Sequence, residues 1–252
     1  MMPHRNFLPG LLPTPPEMRV SASQPDFPAW VLEQPPRFGA GNPNHDWFSE
    51  MVALPAQIYP NCFIVCWCLL VMDLIRREHG VDAIPEGWGL NPNEIYERFD
   101  DARGGRRNQG GLMHSALDWC PKNEGWFEDV RWKAAHFPYK PEFAERMLAV
   151  MPFCLGMGTH SGWFKPSPRS GRIARAMPNP QRGHAIHVVD HQVRRNQGFS
   201  YFPLQWGADI GVKGYACMDD DHIIQSALSD CITLYLPDGI GTWWKKKLTR
   251  IV

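Results

Sequence analysis

The sequence has no excess of charge of either sign, because 26 lysines and arginines balance 26 aspartates and glutamates among its 252 residues. Without a net field the chain has no electrostatic reason to gather on nucleic acid or on an anionic membrane, so neither is expected as a partner. A long hydrophobic run is also missing. The longest, Cys62 to Met72, is ended by Asp73 and is shorter than the roughly 20 residues that span a bilayer. This run predicts a buried core helix.

An export signal is missing too. The first nine residues contain no apolar core of the length that secretory signals need, and Pro9 and Pro13 would interrupt one. The seven cysteines are an odd number, and without an export signal they are expected as reduced thiols rather than as a disulfide framework. These absences predict a cytoplasmic protein, or one assembled inside the cell such as a virion component.

The potential metal ligands form two groups, and neither matches a known site. They are Cys62, Cys66 and Cys68, and His184, His187 and His191. On a helix the third cysteine turns away from the other two, and no paired C-x-x-C completes a zinc site. On a strand the side chains of His184 and His187 point to opposite faces. No metal and no cofactor is predicted, and His187 is expected to be a packed or surface histidine.

Proline divides the chain into two parts. Twelve of the 24 prolines lie in the first 60 residues, where helical periodicity is poor, so residues 1–48 are predicted to form an extended arm ahead of a folded domain at 49–252. The arm carries scattered aromatic and aliphatic residues, which disordered segments usually lack. It is therefore expected to pack on its own domain or on a neighbouring subunit.

Helical patterns come first along the domain, and strand patterns follow. Helices are predicted from Asn61, as the N-cap, to about His79, and at 92–99, 111–122 and 141–150. Short apolar runs separated by glycine, proline and asparagine predict strands at 153–157, 185–189, 199–202, 215–218 and 232–236. A helical first half and a stranded second half predict an α+β fold of two lobes with a cleft between them.

A thiol and an imidazole occupy positions that suit nucleophilic catalysis. Cys62 begins the predicted buried helix, where the positive end of the helix dipole favours a thiolate. His184 opens the strand-like segment from Gly183 to Asp190, far downstream. An adjacent imidazolium would lower the pKa of the thiol further, and the same group would later protonate a leaving amine. The two can meet only if the helix packs against the strand that carries His184. Cysteine first and histidine much later is the order of cysteine proteases.

Several segments carry a family resemblance in the same order along the chain. They are Gln57 ahead of Cys62, Leu90–Ile95, Asn108–Met113, Gly183–Ala185 and Trp206–Gly207. In these segments the sequence resembles the papain-like cysteine peptidases, from about residue 50 to 220. The resemblance implies a helical N-terminal lobe, an antiparallel β-rich C-terminal lobe and a cleft between the lobes. It also implies that the substrate is an extended peptide or protein.

The same resemblance assigns roles to individual residues. It implies that Cys62 is the nucleophile, that His184 is the base and acid, and that Gln57 donates to the oxyanion hole. For substrate binding it implies Gly110, Gly111 and Trp206. The backbone of the two glycines would pair with an extended peptide, as in β-augmentation, and the tryptophan would shield the contact of the catalytic histidine from solvent.

The sequence departs from the family pattern at the orienting residue and at the nucleophile. Leu204 stands where an asparagine orients the catalytic histidine, and a histidine without an orienter can adopt the wrong tautomer. Gln205, one residue along, is expected to point elsewhere. Cys66 is followed by a tryptophan, as the family's nucleophile is, and is the alternative nucleophile. Cys62 keeps the better distance to Gln57.

Two functions are therefore predicted as alternatives. The first is a thiol peptidase or amidohydrolase that cleaves peptide bonds through Cys62 and His184, with weak activity. The second is a catalytically degenerate papain fold that serves as a structural or interaction subunit of a larger assembly such as a phage particle. In the family an N-terminal propeptide often covers the cleft, so the arm at 1–48 is either propeptide-like or an assembly arm that contacts other subunits.

Overall fold

The fold is known from a computed structural model, which describes residues 57–79, 90–105, 110–123, 133–148, 151–206 and 209–235. The predicted arm at 1–48 lies outside the described residues, as do Asn108 and Gly207 of the family motifs. The described helices are α1 Cys62–His79, α2 Pro92–Ala102, α3 Met113–Asn123, α4 Pro141–Leu148 and α5 Asp220–Ser226. The described strands are β1 Lys133–Phe137, β2 Phe153–Thr159, β3 Asn179–Val188, β4 Asp190–Arg194, β5 Gln197–Pro203, β6 Tyr215–Asp219 and β7 Cys231–Tyr235.

Helix α1 forms the centre of the core. Every side chain from Cys62 to Arg76 is at most 8% exposed, which is what a helix with apolar residues on nearly all sides requires. The sequence-based prediction of a buried helix is confirmed. None of the helices in the described ranges has the length and apolar character needed to cross a membrane.

The prediction that the side chain of Asn61 caps α1 is wrong. Its Nδ2 donates to the carbonyl oxygen of Pro92 and to Oδ1 of Asn93, both at 3.0 Å, and its own Oδ1 has no partner among the described residues. The first turn is closed instead by the Asn61 carbonyl, which accepts from the amides of Ile64 and Val65. The side chain therefore fastens the start of α1 to the start of α2.

Helices α2 and α3 cover one side of α1 through aromatic contacts. Helix α2 begins where the sequence predicts, with Pro92 at its first turn and Asn91 as its N-cap. The ring of Phe63 on α1 meets Phe99 on α2 edge to face at 5.4 Å, and Phe99 meets Trp119 on α3 at 5.4 Å. These contacts bury large apolar surfaces and hold the first residues of α1 in place.

The stranded half contains two antiparallel sheets, ordered β1-β7-β2-β3 and β4-β5-β6. All five predicted strands are present, with ends that differ by a few residues, and the predicted α+β class is confirmed. Strands β1 and β4 and helix α5 were not predicted. The two strands are short and contain few β-branched residues, so their conformation depends on pairing with their neighbours.

Helix α1 packs directly on β3 and also touches β2 and β7. This contact joins the helical half of the chain to the stranded half. It brings the first turn of α1 to the segment Gly183–Ala185 of β3, and so positions the residues that the sequence analysis singled out.

Candidate active site

The thiol of Cys62 meets the strand that carries His184. Cys62 is the first residue of α1 and is fully buried. Its Sγ accepts a hydrogen bond of 3.3 Å from the backbone amide of Ala185, the residue after His184. The expectation that α1 packs against the strand of the histidine is therefore confirmed. The contact is made by the backbone amide of Ala185, and a backbone contact cannot be predicted from the identity of a side chain.

The imidazole of His184 is enclosed by aromatic rings. It is 3% exposed, with the ring of Trp206 at 4.8 Å and the ring of Trp163 edge-on at 5.8 Å. The ring of Phe164 stacks on the ring of Trp206, with the ring centres 5.5 Å apart. Trp206 therefore lies against the histidine, where the resemblance put it. Trp163 and Phe164 were not predicted, because the short 3-10 turn Ser161–Phe164 shows no periodic pattern in the sequence.

The main chain of Leu204 lies close enough to His184 to act on its ring, because it raises the pKa of the imidazole. The side chain of Leu204 is fully buried and apolar, so it offers no polar group in place of the asparagine. That the ring lacks a side-chain orienter at this position stays a prediction. Nε2 of His184 is buried and has no hydrogen-bond partner among the described residues.

The protonation states differ from the predicted ion pair. Burial raises the pKa of the Cys62 thiol to about 12, although the hydrogen bond from Ala185 lowers it in part. Burial also lowers the pKa of His184 to about 3, against the opposing effect of the Leu204 backbone. Both groups are consequently neutral near pH 7 in this arrangement. The prediction of a stored thiolate does not hold here, because removal from water outweighs the helix dipole.

Gln57 lies five residues before α1, and its side-chain amide nitrogen already donates one hydrogen bond. Its backbone amide donates to the carbonyl of Gln205 at 3.2 Å, and its Nε2 donates to the carbonyl of Tyr59 at 2.8 Å. A primary amide has two hydrogens, so one remains for an oxyanion. Oε1 of Gln57 is buried and has no partner among the described residues.

Cys66, the alternative nucleophile, is one turn further into α1 and fully buried. Its Sγ accepts a weak hydrogen bond of 3.7 Å from Nε2 of Gln205, and among the described residues it makes no hydrogen bond to β3. Gln205 has a positive φ of 63°, and its side chain points at this second thiol. Gln205 thus points elsewhere, as expected, and Cys62 is the cysteine beside Ala185.

The glycine pair lies next to the residue that follows Cys62. Gly110 and Gly111 are both buried, and the Gly110 carbonyl accepts from Nη1 of Arg103 at 3.3 Å. A Cβ on Gly111 would lie 2.6 Å from the ring of Phe63. Glycine is required at this position because the aromatic ring after the thiol fills the space of a side chain.

The potential metal ligands do not converge on one point. His184 faces aromatic rings, whereas Nε2 of His187 meets Asp73 at 2.6 Å and Nε2 of His191 meets Asp220 at 3.1 Å. His187 is a packed core residue on the face opposite His184, as expected. Among the described residues no group of three histidine, cysteine or carboxylate side chains is arranged to hold a metal ion.

Comparison with known proteins gives the fold. No protein-family model matches the sequence, and no curated protein matches it. Among solved structures, the recombinant stem bromelain precursor matches with a TM-score of 0.60 at 14% identity, covering 90% of this chain and 77% of that chain. Procathepsin L 3 from the larval midgut of Tenebrio molitor matches with a TM-score of 0.57 at 12% identity, covering 81% of this chain and 75% of that one. The chain has the papain-like fold.

A third papain-like match is the proform of Amb a 11, a cysteine protease and ragweed pollen allergen, with a TM-score of 0.57 at 14% identity. The match covers 76% of this chain and 64% of that chain, so the chain spans just under two thirds of that proform. These structural matches establish the papain-like fold and confirm the resemblance found in the sequence. At identities this low they show the fold alone, so the chemistry has to be argued from the site itself.

Proposed function

We propose that this protein is a papain-like thiol peptidase or related amidohydrolase that cleaves peptide bonds. The observation that carries the proposal is the 3.3 Å hydrogen bond from Ala185, next to His184, to the thiol of Cys62 at the start of α1. Thiol hydrolysis needs an imidazole within reach of the thiol, and this bond brings the sulfur to the residue next to His184.

The chemistry assigns one task to each group. His184 takes the proton of Cys62, and the sulfur attacks the carbonyl carbon of the substrate. The C–N bond breaks as His184 gives that proton to the leaving amine, and a thioester remains. Water then attacks the thioester with His184 as base, which releases the acid and restores the thiol. The second amide hydrogen of Gln57 and the backbone amide of Cys62 would stabilise the oxyanion, each donor contributing about 2.7–4 kcal/mol.

Substrate binding is proposed for the backbone of Gly110 and Gly111 and for Trp206. Gly111 touches the ring of Phe63 beside the thiol, so an extended peptide paired with the glycines would pass over Cys62. Because Cys62 is fully buried, the substrate has to displace part of the cover before it meets the sulfur. Within the described residues, the turn with Trp163 and Phe164 lies over His184 and Trp206. Weak hydrolysis by the isolated chain follows.

The alternative function is a catalytically degenerate subunit of a larger assembly such as a phage particle. The observation that favours it is the pair of shifted pKa values, because a thiol with a pKa of about 12 beside an imidazole with a pKa of about 3 does not react while it stays covered. In that case the arm at 1–48 would bind neighbouring subunits instead of guarding a cleft.

Hydrolysis of fluorogenic peptides by the full chain separates these functions. The comparison needs wild type, Cys62→Ala and, as the matched control, Cys66→Ala, which removes an equally buried thiol one turn away. We expect weak cleavage by wild type and Cys66→Ala and none by Cys62→Ala. Equal rates in all three, or loss in Cys66→Ala alone, would reject Cys62 as the nucleophile.

A further inference from the structure

A hydrogen-bonded series of a thiol, an imidazole and a carboxyl group lies inside the protein. Sγ of Cys154 on β2 is 3.2 Å from Nδ1 of His187 on β3, and Nε2 of His187 is 2.6 Å from Oδ2 of Asp73 on α1. The same Sγ lies 3.5 Å from the carbonyl oxygen of Cys66, again on α1. One polar chain therefore connects α1, β2 and β3.

This polar chain has the order of groups of a catalytic triad, but its thiol is not accessible to a substrate. Cys154 is 0% exposed, His187 1% and Asp73 6%. Cys62 begins α1, whereas Cys154 lies on an inner strand of the sheet, between β7 and β3, with its sulfur held against α1. A substrate cannot reach this sulfur without separating α1 from the sheet, so the position points away from a second reactive centre. Burial also raises the pKa of the Cys154 thiol well above its usual value, so the sulfur keeps its proton.

Both ring nitrogens of His187 are held by hydrogen bonds. Nδ1 is 3.2 Å from the sulfur of Cys154, and Nε2 is 2.6 Å from the Asp73 carboxyl group. Hydrogen bonds are stronger and more directional in a low-dielectric interior than in water. Each group fixes the orientation of the next.

The elements joined by this chain also carry the candidate catalytic pair. Asp73 follows Cys62 by eleven residues on α1, which is about 16 Å along the helix axis. His187 follows His184 by three residues on β3, about 10 Å along the strand. The helix is thus fixed to the strand at two separated points, by Cys62 with Ala185 and by Asp73 with His187. Apolar packing holds α1 against β3, β2 and β7, and the two directional contacts add a fixed register to that packing.

We propose that Asp73, His187 and Cys154 are positioning residues for the Cys62–His184 pair. They hold α1 at one register on β3, with Cys154 tying both elements to β2. This inference rests on the proposed function, because positioning has a purpose only if the thiol and the imidazole react together.

The test uses substitutions of Cys154, which remove one bond and leave the bond between His187 and Asp73 intact. Cys154→Ala removes the hydrogen bond to His187, and Cys154→Ser returns a hydrogen-bonding group at almost the same place. Cys231→Ala is the matched control, because Cys231 is a fully buried thiol on β7 that lies outside the polar chain. Asp73→Asn, which keeps an accepting oxygen but removes the charge, is the second variant should Cys154→Ala fold poorly.

Two readouts are measured on the folded full-length chain. The first is the rate at which iodoacetamide alkylates Cys62, resolved by peptide mapping, in each variant with His184 present and with His184→Gln. The second is hydrogen exchange of the Ala185 amide, which reports its bond to the Cys62 sulfur and needs no catalysis. Global stability is measured by urea unfolding, so that a loss of packing is separated from a loss of register.

Cys154→Ala is expected to slow the His184-dependent alkylation about tenfold and to speed exchange of the Ala185 amide about tenfold, while Cys154→Ser restores both. Cys231→Ala is expected to lower stability but to change neither readout. Equal behaviour of Cys154→Ala and Cys231→Ala, or no rescue by serine, would overturn the proposal. If wild-type alkylation does not depend on His184, the proposed function fails, and the Ala185 amide alone decides whether Cys154 holds the register.

Discussion

The main chain of Leu204 acts on the ring of His184 and raises the pKa of the imidazole, at the place where papain-like peptidases use an asparagine side chain. The Leu204 amide donates to the carbonyl of Gly214 at 2.8 Å, which fixes the main chain beside the ring. The side chain of Leu204 is fully buried and fills the core.

Leu204→Asn is therefore expected to lower stability without raising activity. The new amide would enter an apolar site without a designed partner, at a cost of about 1–3 kcal/mol in the free energy of unfolding. Urea unfolding and peptide hydrolysis measure the two effects. Leu204→Met, which conserves volume, is the control and is expected to cost less than about 1.5 kcal/mol. A clear gain in hydrolysis by the asparagine variant would contradict this expectation and show that wild-type His184 lacks an orienting group that asparagine restores.

Gly111→Ala is expected to destabilise the protein and to slow hydrolysis. The added Cβ would lie 2.6 Å from the ring of Phe63, next to Cys62, so the ring has to move, at a cost of about 1–3 kcal/mol. The double variant with Phe63→Leu has room for the methyl group and should recover part of the loss. If the two substitutions instead add to a larger loss, the clash is not the cause.

Stability is expected to fall as the pH falls below about 6.5, the usual pKa of histidine. Burial lowers the pKa of His184 to about 3 and that of His136 to about 4. In acid the unfolded chain binds protons at these rings while the folded chain does not, so unfolding is favoured until the folded-state pKa is reached. Urea unfolding at a series of pH values should show uptake of about one proton per ring on unfolding near pH 5. A stability that is flat between about pH 7 and 4 would contradict the buried neutral state of both rings.

The turn over His184 is expected to loosen in acid through His160. Nδ1 of His160 accepts from the amide of Gly162 at 3.0 Å, so its hydrogen lies on Nε2, which faces Nε2 of His222 at 3.2 Å. Burial lowers the pKa of both rings, and Arg172 and Arg175 also oppose a charge on His222 while Asp219 favours one. A further proton on His160 goes to Nδ1 and removes the acceptor for the Gly162 amide. The cap of the turn that carries Trp163 is then lost.

His160→Asn separates the cap from the titration. Asparagine is a good N-cap and has no proton to gain, so the variant keeps the acceptor for Gly162. Hydrogen exchange of the Gly162 amide in wild type, compared with the variant at each pH, should accelerate by about tenfold as the pH falls from about 7 to 5. The idea is wrong if wild type and variant keep the same ratio of exchange rates throughout.

Much of the fold was predictable because its signals are local. The apolar run from Cys62 predicted a buried helix, and short apolar runs such as 153–157 and 185–189 predicted strands. Strands β1 and β4 could not be predicted in this way, since sequences such as Lys133–Phe137 adopt their conformation only by pairing with a neighbour. The Asn61 cap was wrong because a tertiary partner, α2, competes for the same side chain.

The candidate site was predictable in its members and not in its electrostatics. The family motifs picked out Cys62, His184 and Trp206, which lie together around the start of α1 and β3. The neutral state of the thiol and the imidazole depends on burial by many segments, and the effect of Leu204 on the His184 pKa comes from its main chain. Neither property can be predicted from the identity of a single side chain. The same holds for the link from Asp73 to His187, which joins residues far apart in sequence.

The central claim, that Cys62 and His184 react as a pair, is tested most directly by native-state alkylation of Cys62 as a function of pH. Full-length wild type and His184→Gln are treated with iodoacetamide between about pH 5 and 9, around the ordinary thiol pKa of about 8.5, and the labelled cysteines are identified by peptide mapping. We expect wild type to label at Cys62 before Cys66, with a rate below neutral pH that His184→Gln lowers about tenfold. Identical profiles for the two proteins, each rising only near the ordinary thiol pKa, would contradict the pairing.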